Sequence, residues 1–63
     1  MSLSEKVKRH RLELGLTQKS LAEQVNLRKT MISEVECGRK QLSVNSLKKI
    51  AKVFNCTIDE LVN

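Results

Sequence analysis

At 63 residues the chain is long enough for one small domain, near the lower end of what folds without a staple. Its 40% apolar content includes one aromatic residue, Phe54, and no proline, which predicts an aliphatic core and leaves little room for a substrate pocket. Twelve Lys and Arg against seven Asp and Glu give a net charge of +5, which suits a polyanionic partner but fits an ordinary solvated surface as well.

The two cysteines, Cys37 and Cys56, lack CxxC spacing, and His10 is the only histidine. A zinc site needs about four ligands, so neither a metal nor a cofactor is expected, and the thiols read as reduced. No apolar run approaches membrane-spanning length, and the N-terminus lacks the apolar core of a signal peptide. The expected setting is the cytoplasm, with no membrane partner. Residues 1–63 read as one domain without strand period, repeat, linker or low-complexity segment.

Ser2-Leu3-Ser4-Glu5 is a capping box that starts a first helix. Leu3, Val7, Arg11 and Leu14 follow at intervals of four, four and three, which is one helical face, and Gly15 supplies the stop. Arg11 interrupts an otherwise apolar stripe. His10 flanks that stripe and reads as a half-buried, packed side chain rather than a ligand or base. Thr17 caps a second helix with its apolar face at Leu21, Ala22 and Val25. Asn26 turns the chain, because asparagine is the best substitute for glycine in the left-handed region. Leu27 is placed under the turn, and a third helix buries Ile32 and Val35 while leaving Arg28, Lys29, Thr30, Ser33 and Glu34 on its outer face.

This third helix ends near Glu36-Cys37-Gly38, and Arg39-Lys40-Gln41 forms a basic loop. Ser43 caps a fourth helix whose core face is Leu47, Ile50, Ala51 and Phe54, closed by Asn55 as a second left-handed residue. Thr57-Ile58-Asp59-Glu60 is another capping box and begins a short last helix carrying Ile58, Leu61 and Val62. The prediction is an all-α domain of five helices.

Catalysis has no support in these residues. His10 is distant in sequence from both cysteines, the carboxylates are scattered over helix surfaces, and no glycine-rich phosphate loop occurs. The chain is not expected to be an enzyme.

Two short helices broken at Asn26, the first apolar on its inner face and the second polar on its outer one, fit a helix-turn-helix over about residues 17–36. The runs L-T-Q-K-S-L-A-E-Q-V (16–25) and I-S-E-V-E-C-G (32–38) resemble the phage-repressor/Cro (XRE) family, and the resemblance extends over nearly the whole chain. Departures are visible. Asn26 and Asn55 replace family glycines, His10 stands where many members carry an aliphatic residue, Arg28 replaces a common Ser or Thr cap, and Leu42 replaces a frequent proline.

The resemblance implies a five-helix, lambda-repressor-like DNA-binding domain acting as a sequence-specific transcriptional regulator, a dimeric repressor in the first instance. Base reading falls to Arg28, Lys29, Thr30, Ser33 and Glu34, with Arg28, Lys29 and Thr30 leading into the major groove. On a lone amphipathic helix these five would be an ordinary solvated face; the surrounding pattern favours DNA. Glu34, an anion facing a polyanion, is expected to read a donor or to orient Arg28 or Lys29. Thr17, Gln18, Cys37, Gly38, Arg39 and Lys40 are matched to backbone contacts, Gln18 also bracing the reading helix. Lys6, Lys8, Arg9, Lys48, Lys49 and Lys52 read as solvated surface or long-range field.

The family further implies a largely buried ion pair between Arg11 and Glu36. The expected partners are double-stranded DNA and a second copy of the chain, through a surface drawn from Leu42, Val44, Ile58 and Val62, with RNA polymerase a further contact where the protein activates. No small-molecule ligand is expected. Alternatives of the same fold are a restriction–modification controller, a toxin–antitoxin antitoxin, and a protein-interaction module that has lost DNA binding.

Overall fold

Hydroxyl groups start most of the helices. In the computed structural model, which describes residues 2–62, five helices follow one another: α1 (Leu3–Glu13), α2 (Gln18–Gln24), α3 (Lys29–Glu36), α4 (Val44–Phe54) and α5 (Ile58–Val62). Ser2 Oγ accepts from the Glu5 amide at 3.3 Å, and the Glu5 carboxylate reaches back to the Ser2 amide at 3.4 Å, completing the box at α1. Thr17 accepts from the Ser20 amide at 2.9 Å, Ser43 from Ser46 at 3.2 Å, and Thr57 from Glu60 at 3.1 Å. Each bond satisfies an amide that the first helical turn leaves free. The exception is α3, where Arg28 occupies the cap with no side-chain bond.

The helix ends share one device. Gly15, Asn26, Gly38 and Asn55 have φ of 70°, 57°, 77° and 55°, and each reverses the chain at the end of a helix. At Asn26, its own amide reaches the Glu23 carbonyl at 3.3 Å and the Leu27 amide reaches Ala22 at 2.8 Å. Gly38 and Arg39 repeat the pattern on Val35 at 3.0 Å and Glu34 at 2.9 Å, and Asn55 and Cys56 repeat it on Lys52 and Ala51. This paired closure satisfies the free carbonyls of the last turn and needs a residue that tolerates positive φ.

The core is one cluster. Val7 of α1, Leu21 and Ala22 of α2, Val25 at its end, Ile32 and Val35 of α3, Ile50, Ala51 and Phe54 of α4, and Leu61 of α5 are all buried, with Leu27, Leu47 and Ile58 packed against them. Helix α2 packs on α3, α1 on α3 and α5, and α4 on α5. The His10 ring, half-buried, stacks on Phe54 with centroids 5.1 Å apart and planes at 16°, which ties α1 to α4.

Two apolar placements, Leu14 and Leu42, differ from the sequence expectation. Leu14 is 52% exposed, because α1 stops at Glu13 and Gly15 turns the chain before another inward position is reached; Leu16 packs on the core instead. Leu42, expected on a dimer surface, is buried at 8% exposure. It lies in the connection from α3 to α4 and joins the core cluster, where burial of its apolar side chain is favourable. Val62, placed on the same surface by the sequence, is 48% exposed, while Ile58 joins Leu61 in anchoring α5 to the core.

Candidate nucleic-acid interface

The angle of α3 is set from two sides. An apolar seam of Leu21, Ala22 and Val25 against Ile32 and Val35 holds it to the preceding helix, and Ala22, 2% exposed, permits the close approach. The second hold is polar. Arg11 Nε donates to Glu36 Oε2 at 2.7 Å and Arg11 Nη2 to Glu36 Oε1 at 3.0 Å, a two-pronged pair whose side chains are 10% and 4% exposed. Arg11 Nη1 donates to the Leu16 carbonyl at 2.9 Å, and Gln18 Nε2 donates to Glu36 Oε1 at 3.2 Å. So α1 and the start of α2 converge on the carboxylate that ends α3, and the turn between them accepts from the same guanidinium.

Held this way, α3 exposes Arg28, Lys29 and Thr30 at its N-terminal end, while Ser33 and Glu34 further along are half-buried. Gln18 and Lys29 lie on one open cleft of about 670 Å³, together with Thr17, Lys19, Arg11 and Leu16. The start of α2 and the start of α3 therefore face the same way. Lys19 was absent from the sequence-derived set; its signal was its place directly after Thr17-Gln18, on the N-terminal turn of α2. Thr17 uses its hydroxyl on the Ser20 amide, and Gln18 spends one amide hydrogen on Glu36.

Cys37, Gly38, Arg39 and Lys40 are exposed along the loop that leaves α3. Gly38 and Lys40 line a smaller hollow of about 220 Å³ against Ser2, Leu3 and Ser4 at the start of α1. Glu34 pairs with Lys40, Nζ to Oε2 at 3.8 Å, a neighbour beyond the two roles expected of it, reading a donor or orienting Arg28 or Lys29. The physical reason is the closure at Gly38, which folds the loop back over the last turn of α3. Partial burial pushes the Cys56 thiol up, and the Glu60 carboxylate adds to the shift.

An all-α domain with two helices joined by a left-handed turn, the second presenting a basic outer end, is a helix-turn-helix domain of the lambda-repressor type. The helix-turn-helix family profile matches residues 7–61, and the chain belongs to that family. The HTH-type transcriptional activator BcrR of Enterococcus faecalis is 43% identical over 63 residues, covering 100% of this chain and 31% of that protein, so the chain spans about a third of that relative's length. An HTH-type transcriptional regulator of Archaeoglobus fulgidus is 36% identical over 56 residues, 89% of this chain and 80% of that protein. Among solved structures, the P22 c2 repressor in complex with a synthetic operator superposes with a TM-score of 0.96, covering 100% of this chain and 96% of that one at 22% identity, which is a likeness of fold. No helix among the described residues is long and apolar enough to cross a membrane.

Proposed function

We propose that the protein is a sequence-specific, double-stranded-DNA-binding transcriptional regulator that reads the major groove with α3. The observation that carries this reading is the set of exposed side chains Arg28, Lys29 and Thr30 at the leading end of a helix fixed from both sides, with Lys19 beside them. Arg28 and Lys29 suit guanine O6 and N7, Thr30 can meet a thymine methyl, and Glu34 can accept from an amino group; Ser33 completes the face. Thr17, Gln18, Arg39 and Lys40, with the backbone at Cys37 and Gly38, would meet phosphates on either side of the groove, which positions the domain without specifying sequence. The relatives described above, transcriptional regulators by name, support the same reading.

The working unit would be a homodimer. One module buries roughly 600–1,000 Å² on DNA, and two modules on half-sites about 34 Å apart reach useful affinity. Exposed Val44 and Val62 are the apolar candidates for that contact, with half-buried Ile58 beneath; Leu42 belongs to the core. The bound dimer would act by occupancy, either covering a promoter or touching the polymerase beside it.

Selection of bound sites from random DNA, with the gene's own upstream region as control, tests the proposal. The expected result is an enriched motif with two related half-sites one helical turn apart. Binding that falls with salt equally for every sequence, without enrichment, would refute it.

A further inference from the structure

Glu34 is the one acidic side chain among the five residues assigned to base reading, and its partner is Lys40, outside the helix. The contact is built by the backbone. Gly38, at φ 77°, reverses the chain, the Gly38 amide bonds the Val35 carbonyl at 3.0 Å, and the Arg39 amide bonds the carbonyl of Glu34 itself at 2.9 Å. The residue after Arg39 is therefore delivered over the last turn of α3. Both side chains remain open to solvent, 55% for Lys40 and 37% for Glu34. An ion pair this exposed contributes little to stability, so its consequence lies in where it holds the carboxylate.

We propose that Lys40 is a positioning residue for base selection, acting through Glu34. At 3.8 Å the contact is one of charge rather than a hydrogen bond, so the Glu34 carboxylate is drawn toward Lys40 while its oxygens stay open to accept from the groove. A carboxylate oxygen attracts an exocyclic amino group, cytosine N4 above all and adenine N6 next, and repels the keto oxygens of guanine and thymine. The ammonium group does two things. It offsets the charge of a carboxylate that must approach phosphates, and it keeps the side chain from swinging away to escape them. Without Lys40, Glu34 is free to turn to solvent, and the base pair beneath it is less well discriminated. Lys40 thus does more than meet a phosphate, which is a contact that carries no sequence information. This inference rests on the DNA-reading function proposed above and adds the chemistry of one position in the site.

The test compares the wild type, Lys40→Ala, Lys40→Arg, Glu34→Gln and the Lys40→Ala/Glu34→Gln double variant by selection from random DNA. Affinities are then measured on the selected site and on its single-base variants at several salt concentrations, with circular dichroism verifying that each variant is folded. Lys40→Ala is expected to reduce discrimination at one base pair by about two- to fivefold, the range an exposed pair can supply, through tighter relative binding of the disfavoured bases. Lys40→Arg should keep the preference, because it keeps the cation. In the Glu34→Gln background, Lys40→Ala should change no base preference further. The inference is overturned if Lys40→Ala weakens all sequences alike and lowers the salt slope by about one, the signature of a lost phosphate contact. It is equally overturned if Lys40→Ala still shifts a base preference when Glu34 is already glutamine. A wild type that selects no motif defeats the proposed function itself; a wild type that selects one, with Lys40→Ala unchanged, defeats this inference alone.

Discussion

Breaking the Arg11–Glu36 pair from one side should cost more than removing it altogether. In Arg11→Met, the Glu36 carboxylate, 4% exposed, loses two charged hydrogen bonds and keeps only the Gln18 amide at 3.2 Å. In Glu36→Leu, the guanidinium, 10% exposed, keeps only the Leu16 carbonyl at 2.9 Å. Leaving a buried charge unmatched costs about 3–5 kcal/mol. A domain of this length has roughly 3–9 kcal/mol of total stability, so each single variant should be largely or wholly unfolded. The double variant leaves no unmatched charge. What remains is a Leu16 carbonyl and a Gln18 amide without their partners, about 1 kcal/mol each, offset in part by the added apolar side chains. Its net loss should be about 1–2 kcal/mol, and it should melt cooperatively. Urea unfolding of the wild type and the double variant gives the loss in the double, and the folded fraction of each single variant by circular dichroism sets a lower bound on its own loss; the coupling should be at least about 4 kcal/mol in favour of the pair. A double variant as unstable as the sum of the singles would refute the reasoning. The folded double variant then serves a second assay: without the polar hold on α3, its base preferences should blur more than its overall affinity for DNA falls.

Asn26→Gly should leave the melting temperature unchanged or slightly raised, whereas Asn26→Val should lose more than about 1 kcal/mol, because a β-branched residue resists the φ of 57° found there; equal melts for the two would show that the turn does not need that conformation. Arg28→Ser should stabilise the domain by about 0.5–1.5 kcal/mol, since Arg28 already has the extended backbone of a cap (φ −80°, ψ 147°) and lacks only the oxygen, while DNA affinity falls; a variant stabilised with no loss of binding would remove Arg28 from the reading face. The Glu5 carboxyl is held below its ordinary value of 4.5, first by the Ser2 hydroxyl and then by the Ser2 amide. Its contribution to the box is thus present above that value and lost as pH falls through the lowered one. Thermal melts from neutral to strongly acidic pH should show the advantage of wild type over Glu5→Gln vanishing in acid; an advantage independent of pH would place it elsewhere.

How far the sequence could be read depended on whether a residue's conformation is decided locally. Asn26 and Asn55 were legible because an asparagine between two apolar helical faces has few other uses, and both adopt the left-handed backbone. Ser2, Thr17, Ser43 and Thr57 were legible because a hydroxyl before an apolar periodic run satisfies amides that nothing else can reach. Arg11 stood out as a cation on a core stripe. Leu14 and Leu42 were misplaced for the opposite reason: periodicity speaks only inside a helix, and both lie in connections whose path is set by what the helices do later. The Glu34–Lys40 contact was hidden for the same reason, since it depends on a loop reversal rather than on helical spacing. A lysine such as Lys19 on a helix surface reads as solvated from sequence, and only the fold shows that it shares a cleft with Gln18 and Lys29.

The reading face proposed for α3 depends on a group that lies away from it. Apolar contacts such as those of Ala22, Ile32 and Val35 fix how closely α3 lies against its neighbours, but they are non-directional and resist rotation of the helix about its own axis only weakly. Successive residues on a helix differ by about 100° around that axis. A rotation of a fraction of that angle would tilt Lys29 or Thr30 out of the face proposed to meet the groove. Hydrogen bonds are directional. Three of them, two from Arg11 and one from Gln18, meet at the Glu36 carboxylate in the last turn of α3. They arrive from α1 and from the start of α2, so rotating α3 would have to lengthen or bend at least one. Arg11 also takes the Leu16 carbonyl, which pins the turn that places the start of α2. A single buried guanidinium thereby relates the helix that would read bases to the turn that would meet phosphates, and that relation is what a sequence-specific domain has to hold constant.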